Sequence, residues 1–207
     1  MEPELPYQTF EENKKGFSDS LGKWNSLKIE DKLFGKKVLD LGCNEGFFCI
    51  KCSQHGAQKV IGIDRNEEMI NSANQRKGDM DNIEFINCDW SHLDNWKPES
   101  FDVILLLTAM HYSSGPDDLL PNGTNKILNQ VVKLLKKGGL LVFEGGVIIS
   151  EEEEWVARER SECIGYHPTQ KKFEKICSLL FDKVELIGKS VNQLLDPFDH
   201  YVYHCTK

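Results

Sequence analysis

An alternation of short apolar strands and amphipathic helices is the feature that most constrains the fold of this 207-residue chain. The pattern of strand, turn and helix recurs from residue 37 onward, and the segment Phe101–Leu107 is apolar enough to be buried on both faces. Such alternation is typical of an α/β protein with a doubly wound, mostly parallel sheet and helices on both of its faces. We predict strands at 37–41, 60–63, 83–87, 101–107 and 140–144, with helices at 47–55, 67–75 and 124–135.

The C-terminal part of the chain departs from this alternation. After a predicted helix at Thr169–Leu180, strands at Lys183–Ile187 and Tyr201–Cys205 follow each other with no helix between them. Consecutive strands of this kind pair like a hairpin, so the last of seven strands should run antiparallel to the others. Upstream, Lys137-Gly138-Gly139 is expected to end the preceding long helix, since glycine is common just past a helix end.

The first 35 residues form a polar lead-in with a few regularly spaced apolar side chains. Their spacing fits one face of a helix. We expect Tyr7, Phe10, Phe17 and Trp24 to form a partial lid over the ligand site, with packing on the sheet as the alternative. Residues 36–207 should then form the main domain. The apolar positions of the lead-in are Phe10, Phe17, Leu21, Trp24 and Leu27.

Composition and charge exclude several classes of protein. No apolar run approaches the roughly 18–20 residues that span a bilayer, and the N-terminus does not resemble a secretory signal, so we expect a cytoplasmic protein without a membrane partner. The formal net charge of −8 disfavours a broad grip on nucleic acid. The pair Cys49 and Cys52 lacks a second pair at zinc-ligand spacing, so we predict packed, reduced cysteines and no metal site.

The turn after the first strand is the place to look for a ligand, because doubly wound sheets bind ligands beyond the C-terminal ends of their strands. It reads Asp40-Leu41-Gly42-Cys43-Asn44-Glu45-Gly46, and its glycines allow backbone to come close to a ligand. The turn is not the G-x-G-x-x-G of a dinucleotide site. Taken alone, it is compatible with several nucleotide ligands.

Acidic residues also end the next two strands. Asp64 follows the second strand, placed to accept hydrogen bonds from ribose hydroxyls. Asp89 and Trp90 follow the third strand and offer a carboxylate for an amino group and an indole for a flat ring. Acidic residues at the ends of three successive strands are a far more specific signal of a ligand site than an acidic residue at any one strand end.

In these segments the sequence resembles the class I S-adenosylmethionine-dependent methyltransferases, over roughly residues 36–206. The matching segments read VLDLGCNEG, VIGIDRN, IEFINCDW, FDVILLLTAMHY and LLKKGGLLVFE. The resemblance implies the Rossmann-like methyltransferase fold, with S-adenosyl-L-methionine as the cofactor. The family's loop usually reads G-x-G-x-G. This chain departs from that pattern at one position, since Asn44 occupies the place of the middle glycine. Asn tolerates a left-handed backbone better than most residues.

The same resemblance implies a role for each of these positions. Asp40, Gly42 and Gly46 would line the methionine part of the cofactor, and the Asn44 side chain is hypothesised to bond its carboxylate. Asp64 would hold the ribose. The remaining implied contacts are Arg65 or Asn66 beside the adenine, Asp89 on its amino group, Trp90 along its ring, and Thr108 near the methionine carboxylate or the sulfonium.

Substrate-facing residues are expected after the fourth strand. His111 is the candidate general base, since imidazole titrates near neutrality, and a structural role capping the strand end is the alternative. Tyr112, Glu144 and His167 are further candidates for contacts with the acceptor, and structural pairing is the alternative for Glu144. His200 and His204 share a strand face and are expected to be surface or packing residues.

The expected reaction is O- or N-methylation of a small molecule or sugar. A tRNA nucleoside is the alternative acceptor, which the net charge disfavours. An NAD-dependent oxidoreductase would share the sheet and Asp64 but should show G-x-G-x-x-G. A non-catalytic scaffold with a methyltransferase-like fold is the third possibility, although Asp40 and Asp64 are both present.

Overall fold

A computed structural model describes residues 7–10, 16, 18–109, 125–147, 169–191 and 199–207. Within these residues seven strands form one sheet, and five α-helices pack against it. The strands are β1 Lys37–Leu41, β2 Lys59–Asp64, β3 Ile83–Asn87, β4 Phe101–Leu107, β5 Leu135–Gly146, β6 Lys183–Lys189 and β7 His200–Thr206. The helices are α1 Ser20–Leu27, α2 Phe47–Gln54, α3 Glu67–Arg76, α4 Lys126–Leu134 and α5 Gln170–Ser178.

The strand order across the sheet is β3-β2-β1-β4-β5-β7-β6. Strands β1 to β5 are parallel, whereas β7 lies between β5 and β6 and runs antiparallel to both. The order reverses direction at β1, which pairs with β2 on one side and β4 on the other. The predicted doubly wound sheet with an antiparallel last strand is therefore confirmed.

Each face of the sheet has its own hydrophobic core because successive residues of a strand point to opposite sides. In β1, Val38 packs with Trp24 and Phe47 under α1 to α3. Its neighbour Leu39 packs on the other face with Leu128 of α4 and Phe173 of α5. Both faces of the central strands are thus removed from water, which accounts for their nearly continuous apolar sequence.

The end of α4 lies within one residue of the predicted end, but a different contact sets it. Leu135 already has an extended backbone, with ψ of 136°, and pairs with Phe101 as the first residue of β5. The prediction that Lys137-Gly138-Gly139 ends the helix is wrong, since these residues lie within β5. Pairing of Leu135 with the neighbouring strand ends the helix before the glycines are reached.

The lead-in also differs from the prediction. A helical face running from Phe10 to Leu27 is wrong, because Gln8 forms an isolated bridge with Ser18 and α1 begins only at Ser20. The Asp19 side chain caps this helix by accepting a hydrogen bond from the Gly22 N–H at 2.9 Å. Gln8 and Ser18 therefore lie side by side, with their backbones running in the same direction, before the helix starts.

The described part of the lead-in packs into the main core. Trp24, Leu27, Ile29 and Leu33 are buried in the same cluster as Val38 of β1. Gly16 lies next to the bridge, and its backbone N–H donates to Thr9 Oγ1 at 3.0 Å. In the part of the chain that the structure describes, no helix has the length and apolar character needed to span a membrane.

Candidate functional site

A cavity of about 690 Å³ opens at the C-terminal ends of the central strands. Its described lining comes from the ends of β1, β2 and β4, from the segment after β3, from α4 and from the lead-in. The reversal of strand order at β1 lies directly below it. This is the place where ligands bind in open α/β sheets.

The turn after β1 forms the floor of the cavity. Gly42 has a φ of +80°, and a Cβ atom at this position would lie 3.5 Å from the Ala109 side chain and 3.8 Å from the Trp90 ring. A side chain there would fill the space between the turn and the opposite wall. The glycine therefore keeps the floor open to a ligand.

Asn44 has the left-handed backbone that the sequence allowed, with a φ of +50°. Its backbone N–H donates to Asp64 Oδ2 at 3.0 Å, and its side-chain Oδ1 accepts from the Glu45 N–H at 2.8 Å. The side-chain oxygen thus stabilises the turn itself. Asn44 also lines the cavity, and its hypothesised bond to a cofactor carboxylate stays a prediction.

Gly46 is the glycine of the turn that does not line the described wall of the cavity. It precedes α2 with a φ of +85°, and a Cβ atom there would lie 2.5 Å from Phe85 Cζ and 3.0 Å from the Ala73 side chain. The need for glycine at this position comes from backbone conformation and packing against β3 and α3. Its predicted contact with the methionine part of the cofactor stays a prediction.

Asp40 is the buried carboxylate of the site. Its side chain lines the cavity, and Cys49 Sγ donates a hydrogen bond to its Oδ2 at 3.3 Å. Burial raises the pKa of Asp40 to about 7, an effect that the Cys49 hydrogen bond opposes. A group with that pKa is partly ionised near neutral pH, and an approaching cation favours its ionised form.

Asp64 is held at the end of β2 by two backbone groups. Asn44 N–H donates to Oδ2 at 3.0 Å, and Asn66 N–H donates to Oδ1 at 2.9 Å. Each carboxylate oxygen keeps further lone-pair capacity, so the group can still accept hydrogen bonds from a ligand. Arg65 lies beside it on the cavity wall and is exposed to solvent.

The segment after β3 supplies the wall next to Asp64. Asp89 is exposed and Trp90 is half-buried, and both line the cavity. Trp90 begins a short 3-10 helix, Trp90–Asn95, that packs against α4. A carboxylate and an indole therefore stand together on one side of the cavity, as the sequence predicted.

A buried polar network lies under the opposite side. Thr108, which follows β4, donates from Oγ1 to Glu144 Oε2 at 2.6 Å. Lys23 Nζ of α1 lies 3.1 Å from the same carboxylate oxygen and donates to Thr108 Oγ1. His200 Nδ1 lies 2.9 Å from Glu144 Oε1. Although burial alone would raise it, the Lys23 charge and the His200 contact lower the pKa of Glu144 to about 2.

This network bears on two sequence interpretations. Glu144 was a candidate for facing the substrate, with structural pairing as the alternative; it is fully buried beneath Thr108 and absent from the described cavity wall, which favours the alternative. His200 and His204 were expected to be surface or packing residues; they share a face of β7, and both are buried. His204 Nε2 lies 2.9 Å from the Leu27 carbonyl oxygen, so it ties α1 to the sheet.

The lead-in is fastened to the first turn by Gln8. Its backbone N–H donates to Glu45 Oε2 at 2.9 Å, and its side-chain Oε1 accepts from the Phe47 N–H at 3.1 Å. Arg76 forms an ion pair with Glu45 at 3.0 Å and lies over the Phe10 ring. The described lead-in residues on the cavity wall are Tyr7, Gln8, Ser18 and Lys23.

Most of the predicted cofactor residues come together on this one cavity. Those on its wall are Asp40, Gly42, Asn44, Asp64, Arg65, Asp89, Trp90 and Thr108. Gly46 and Glu144 are absent from its described wall. His111, Tyr112 and His167 fall outside the residues that the structure describes, so their roles stay predictions.

Sequence reasoning missed Lys23 and Gln130 as wall residues. Lys23 lies on the buried face of α1 with Ser20, Trp24 and Leu27, so a lysine within an apolar helical stripe was the available signal. Gln130 is 6% exposed on α4, and its Nε2 has no hydrogen-bond partner within the described chain. Its signal was a polar residue between Ile127, Leu128 and Val131.

Cys49 and Cys52 are fully buried in α2, as predicted, and burial raises the pKa of both thiols. Among the described residues no group of three or more His, Cys, Asp or Glu side chains is arranged to hold a metal ion.

Comparisons with known proteins identify the family. The profile described as "Methyltransferase domain" matches residues 34–202. The ribosomal protein L11 methyltransferase of Thermotoga petrophila is 28% identical over 145 residues, which cover 68% of this chain and 47% of that protein. The ubiquinone biosynthesis O-methyltransferase of Aliivibrio fischeri is 29% identical over 149 residues, covering 62% of this chain and 60% of that protein.

A solved structure shows the same fold. The S-adenosylmethionine-dependent methyltransferase of Mesorhizobium loti superposes with a TM-score of 0.65 and 18% identity, covering 93% of this chain and 100% of that one. The chain spans about half the length of the curated relatives it matches. Because the methyltransferase profile covers most of the chain, the resemblance found in the sequence is confirmed, and this protein belongs to the class I S-adenosylmethionine-dependent methyltransferase family.

Proposed function

We propose that this protein transfers the methyl group of S-adenosylmethionine to an oxygen or nitrogen of a small molecule or sugar. The observation that carries the proposal is the row of carboxylates at three adjacent strand ends. Asp40 of β1, Asp64 of β2 and Asp89 after β3 all line one cavity. That cavity lies where the order of the parallel strands reverses.

The donor groups of this cavity fit the cofactor. Asp64 keeps acceptor capacity for two ribose hydroxyls, since its two oxygens are each held by one backbone N–H. Asp89 and Trp90 offer an acceptor for the adenine amino group and an apolar surface for its ring. Asp40, beside the open floor at Gly42, suits the cationic amino group of the methionine part.

When bound, the cofactor supplies an activated methyl group on a sulfonium sulfur. The protein's part is then to hold donor and acceptor in line and to exclude water, because proximity and orientation can supply most of such an acceleration. The lead-in contributes by covering the turn through Gln8, Glu45 and Phe47. We propose that His111 removes the proton from a hydroxyl acceptor, because His111 follows β4 in the sequence.

The charge around the cavity supports a small acceptor. The cavity itself, of about 690 Å³, is of a size that a small-molecule ligand such as the cofactor occupies. The formal net charge of −8, with three carboxylates on the cavity wall, disfavours a polyanionic acceptor such as tRNA. The two relatives named above carry a ribosomal protein and ubiquinone biosynthesis in their names, so relatives alone do not select the acceptor.

A screen for S-adenosylhomocysteine release tests this proposal. Purified protein is incubated with S-adenosylmethionine and pools of small alcohols, phenols, amines, sugars and unmodified tRNA. We expect release with a small-molecule pool, loss of release in Asp64→Asn, and retention in Asp79→Asn. Asp79 is an exposed carboxylate away from the described cavity wall, so it makes a matched control. Release with tRNA alone would overturn the assigned acceptor class.

A further inference from the structure

Lys23 is a buried lysine on the wall of the cavity. Its residue is 3% exposed, and it lies on the inward face of α1 next to Trp24. Lysine is almost never buried unless its charge is paired. The other described cations on the wall, Arg65 and Lys126, are exposed to solvent. Among the described cations of the wall, Lys23 is therefore the one that can act within the cavity at reduced dielectric.

The Lys23 ammonium is held in place from two sides. Nζ lies 3.1 Å from Glu144 Oε2 and donates to Thr108 Oγ1, while His200 holds the other oxygen of Glu144 at 2.9 Å. An ammonium group has three N–H donors. These contacts use two of them and leave the third without a partner among the described residues.

The backbone next to this ammonium is strained. Thr108 has a φ of +49°, which is rare for a β-branched residue. Its backbone N–H donates to the Glu144 carbonyl oxygen at 2.6 Å, and its hydroxyl joins the same network. Such strain persists only where surrounding contacts over-determine it, and it is concentrated at functional sites.

The position of Lys23 relates it to one particular part of the cofactor. Thr108 follows β4 and Asp64 ends β2, and β1 lies between these two strands. Neighbouring strands are about 4.8 Å apart, so the two ends stand roughly 10 Å from each other. With the ribose at Asp64, the methionine arm would run across Gly42 toward Thr108. The carboxylate at the end of that arm is the one anionic group the cofactor carries.

We propose that Lys23 of the lead-in helix binds the amino-acid carboxylate of the cofactor, positioned for this by Glu144 and Thr108. This inference rests on the proposed function, and it makes α1 part of the cofactor site. The Asp40 carboxylate then faces the ammonium group of the ligand's amino-acid part, and the Lys23 ammonium faces the carboxylate of that same part.

The test compares two ligands that differ only in that carboxylate. Isothermal titration calorimetry gives Kd for S-adenosylhomocysteine and for its decarboxylated analogue. We expect the wild type to prefer S-adenosylhomocysteine by about tenfold or more, as for a charge-assisted hydrogen bond. A wild-type preference below about threefold would overturn the inference without any variant, on the same scale of energies.

Two variants then isolate the ammonium. Glu144→Gln keeps the lysine, whereas Lys23→Met combined with Glu144→Gln removes the ammonium without leaving a buried charge unpaired. We expect the preference to remain in Glu144→Gln and to disappear in the double variant, with thermal unfolding confirming that both are folded. An equal preference in the two variants would overturn the role of Lys23 while leaving the proposed function intact. If the wild type bound neither ligand, the proposed function itself would fail.

Discussion

The backbone N–H of Asn44 donates a hydrogen bond to Asp64 Oδ2 across 3.0 Å. This contact joins the turn after β1 to the end of β2, which are the two places where the sequence predicted cofactor contacts. Asn44 has a left-handed backbone at this point, with a φ of +50°. The turn therefore aims a backbone donor at the carboxylate that is proposed to hold the ribose.

Replacing Asn44 tests the cost of that conformation. We expect Asn44→Ala to lower the free energy of unfolding by about 1–2 kcal/mol, because a Cβ-bearing residue without a local polar contact is strained in the left-handed region. Asn44→Gly, which accepts the conformation but loses the bond to Glu45 N–H, should lose less than Asn44→Ala. Urea unfolding of the two variants gives the comparison, and equal stabilities would contradict the strain argument.

Gly46 and Gly78 form a matched pair for packing. Both have positive φ, of +85° and +53°, but an added Cβ meets Phe85 at 2.5 Å in the first case and nothing within 4 Å in the second. We expect Gly78→Ala to show the conformational cost alone, about 1 kcal/mol. Gly46→Ala should lose a further 1–3 kcal/mol or so from overpacking. Thermal unfolding that ranks Gly78→Ala as the more damaging change would refute this account.

Asp40 should make the stability of the free protein depend on pH. Its folded pKa of about 7 lies above the ordinary value of 3.8. Between these values the folded state binds more protons than the unfolded state, so this group makes the protein less stable as pH rises toward 7. Asp40→Asn should remove that part of the slope. Denaturant unfolding at a series of pH values measures it, and an unchanged slope in the variant would count against a raised pKa.

Ligand binding should show the opposite dependence at the same carboxylate. Since the ionised form of Asp40 attracts the ligand ammonium, S-adenosylhomocysteine affinity should rise as pH increases through about 7. A ligand without the amino-acid group, 5′-methylthioadenosine, serves as the control and should gain less. Parallel pH curves for the two ligands would show that Asp40 does not face the amino group.

His111 carries the proposed proton transfer for a hydroxyl acceptor. We expect His111→Ala to lower kcat by roughly 10²–10⁴-fold, the range that general base catalysis contributes. The Kd for S-adenosylhomocysteine should stay close to that of the wild type, because the residue is assigned to the acceptor side. Full turnover in the variant would reject the assignment and leave positioning alone as the source of rate.

The strands of the central sheet could be predicted because local pattern decides them. The predicted bounds of Phe101–Leu107 and Ile83–Asn87 match the observed strands. An apolar run of that length, within an alternation of strands and helices, is expected to form a buried strand. What ends α4 could not be read locally, because Leu135 becomes a strand residue by pairing with Phe101 of β4. Pairing between two segments that are far apart in the sequence, rather than the glycine turn, therefore ends the helix.

The cofactor side of the site followed from the sequence for the same reason. Asp40, Asp64 and Asp89 sit at or just after strand ends, and parallel strands bring such ends together. The burial of Lys23 depends instead on Glu144 and Thr108, which lie on strands distant in sequence. A lone lysine in a helical stripe gives no indication of which strand end it will meet.

Calorimetric titration with S-adenosylhomocysteine and with NAD tests the central claim most directly. It needs no knowledge of the acceptor, and it asks whether the carboxylate row around Asp64 recognises an adenosyl amino acid. The account predicts micromolar or tighter binding of S-adenosylhomocysteine, abolished or greatly weakened in Asp64→Asn and kept in Asp79→Asn, with no binding of NAD. Binding of NAD alone, or of neither ligand, would contradict it.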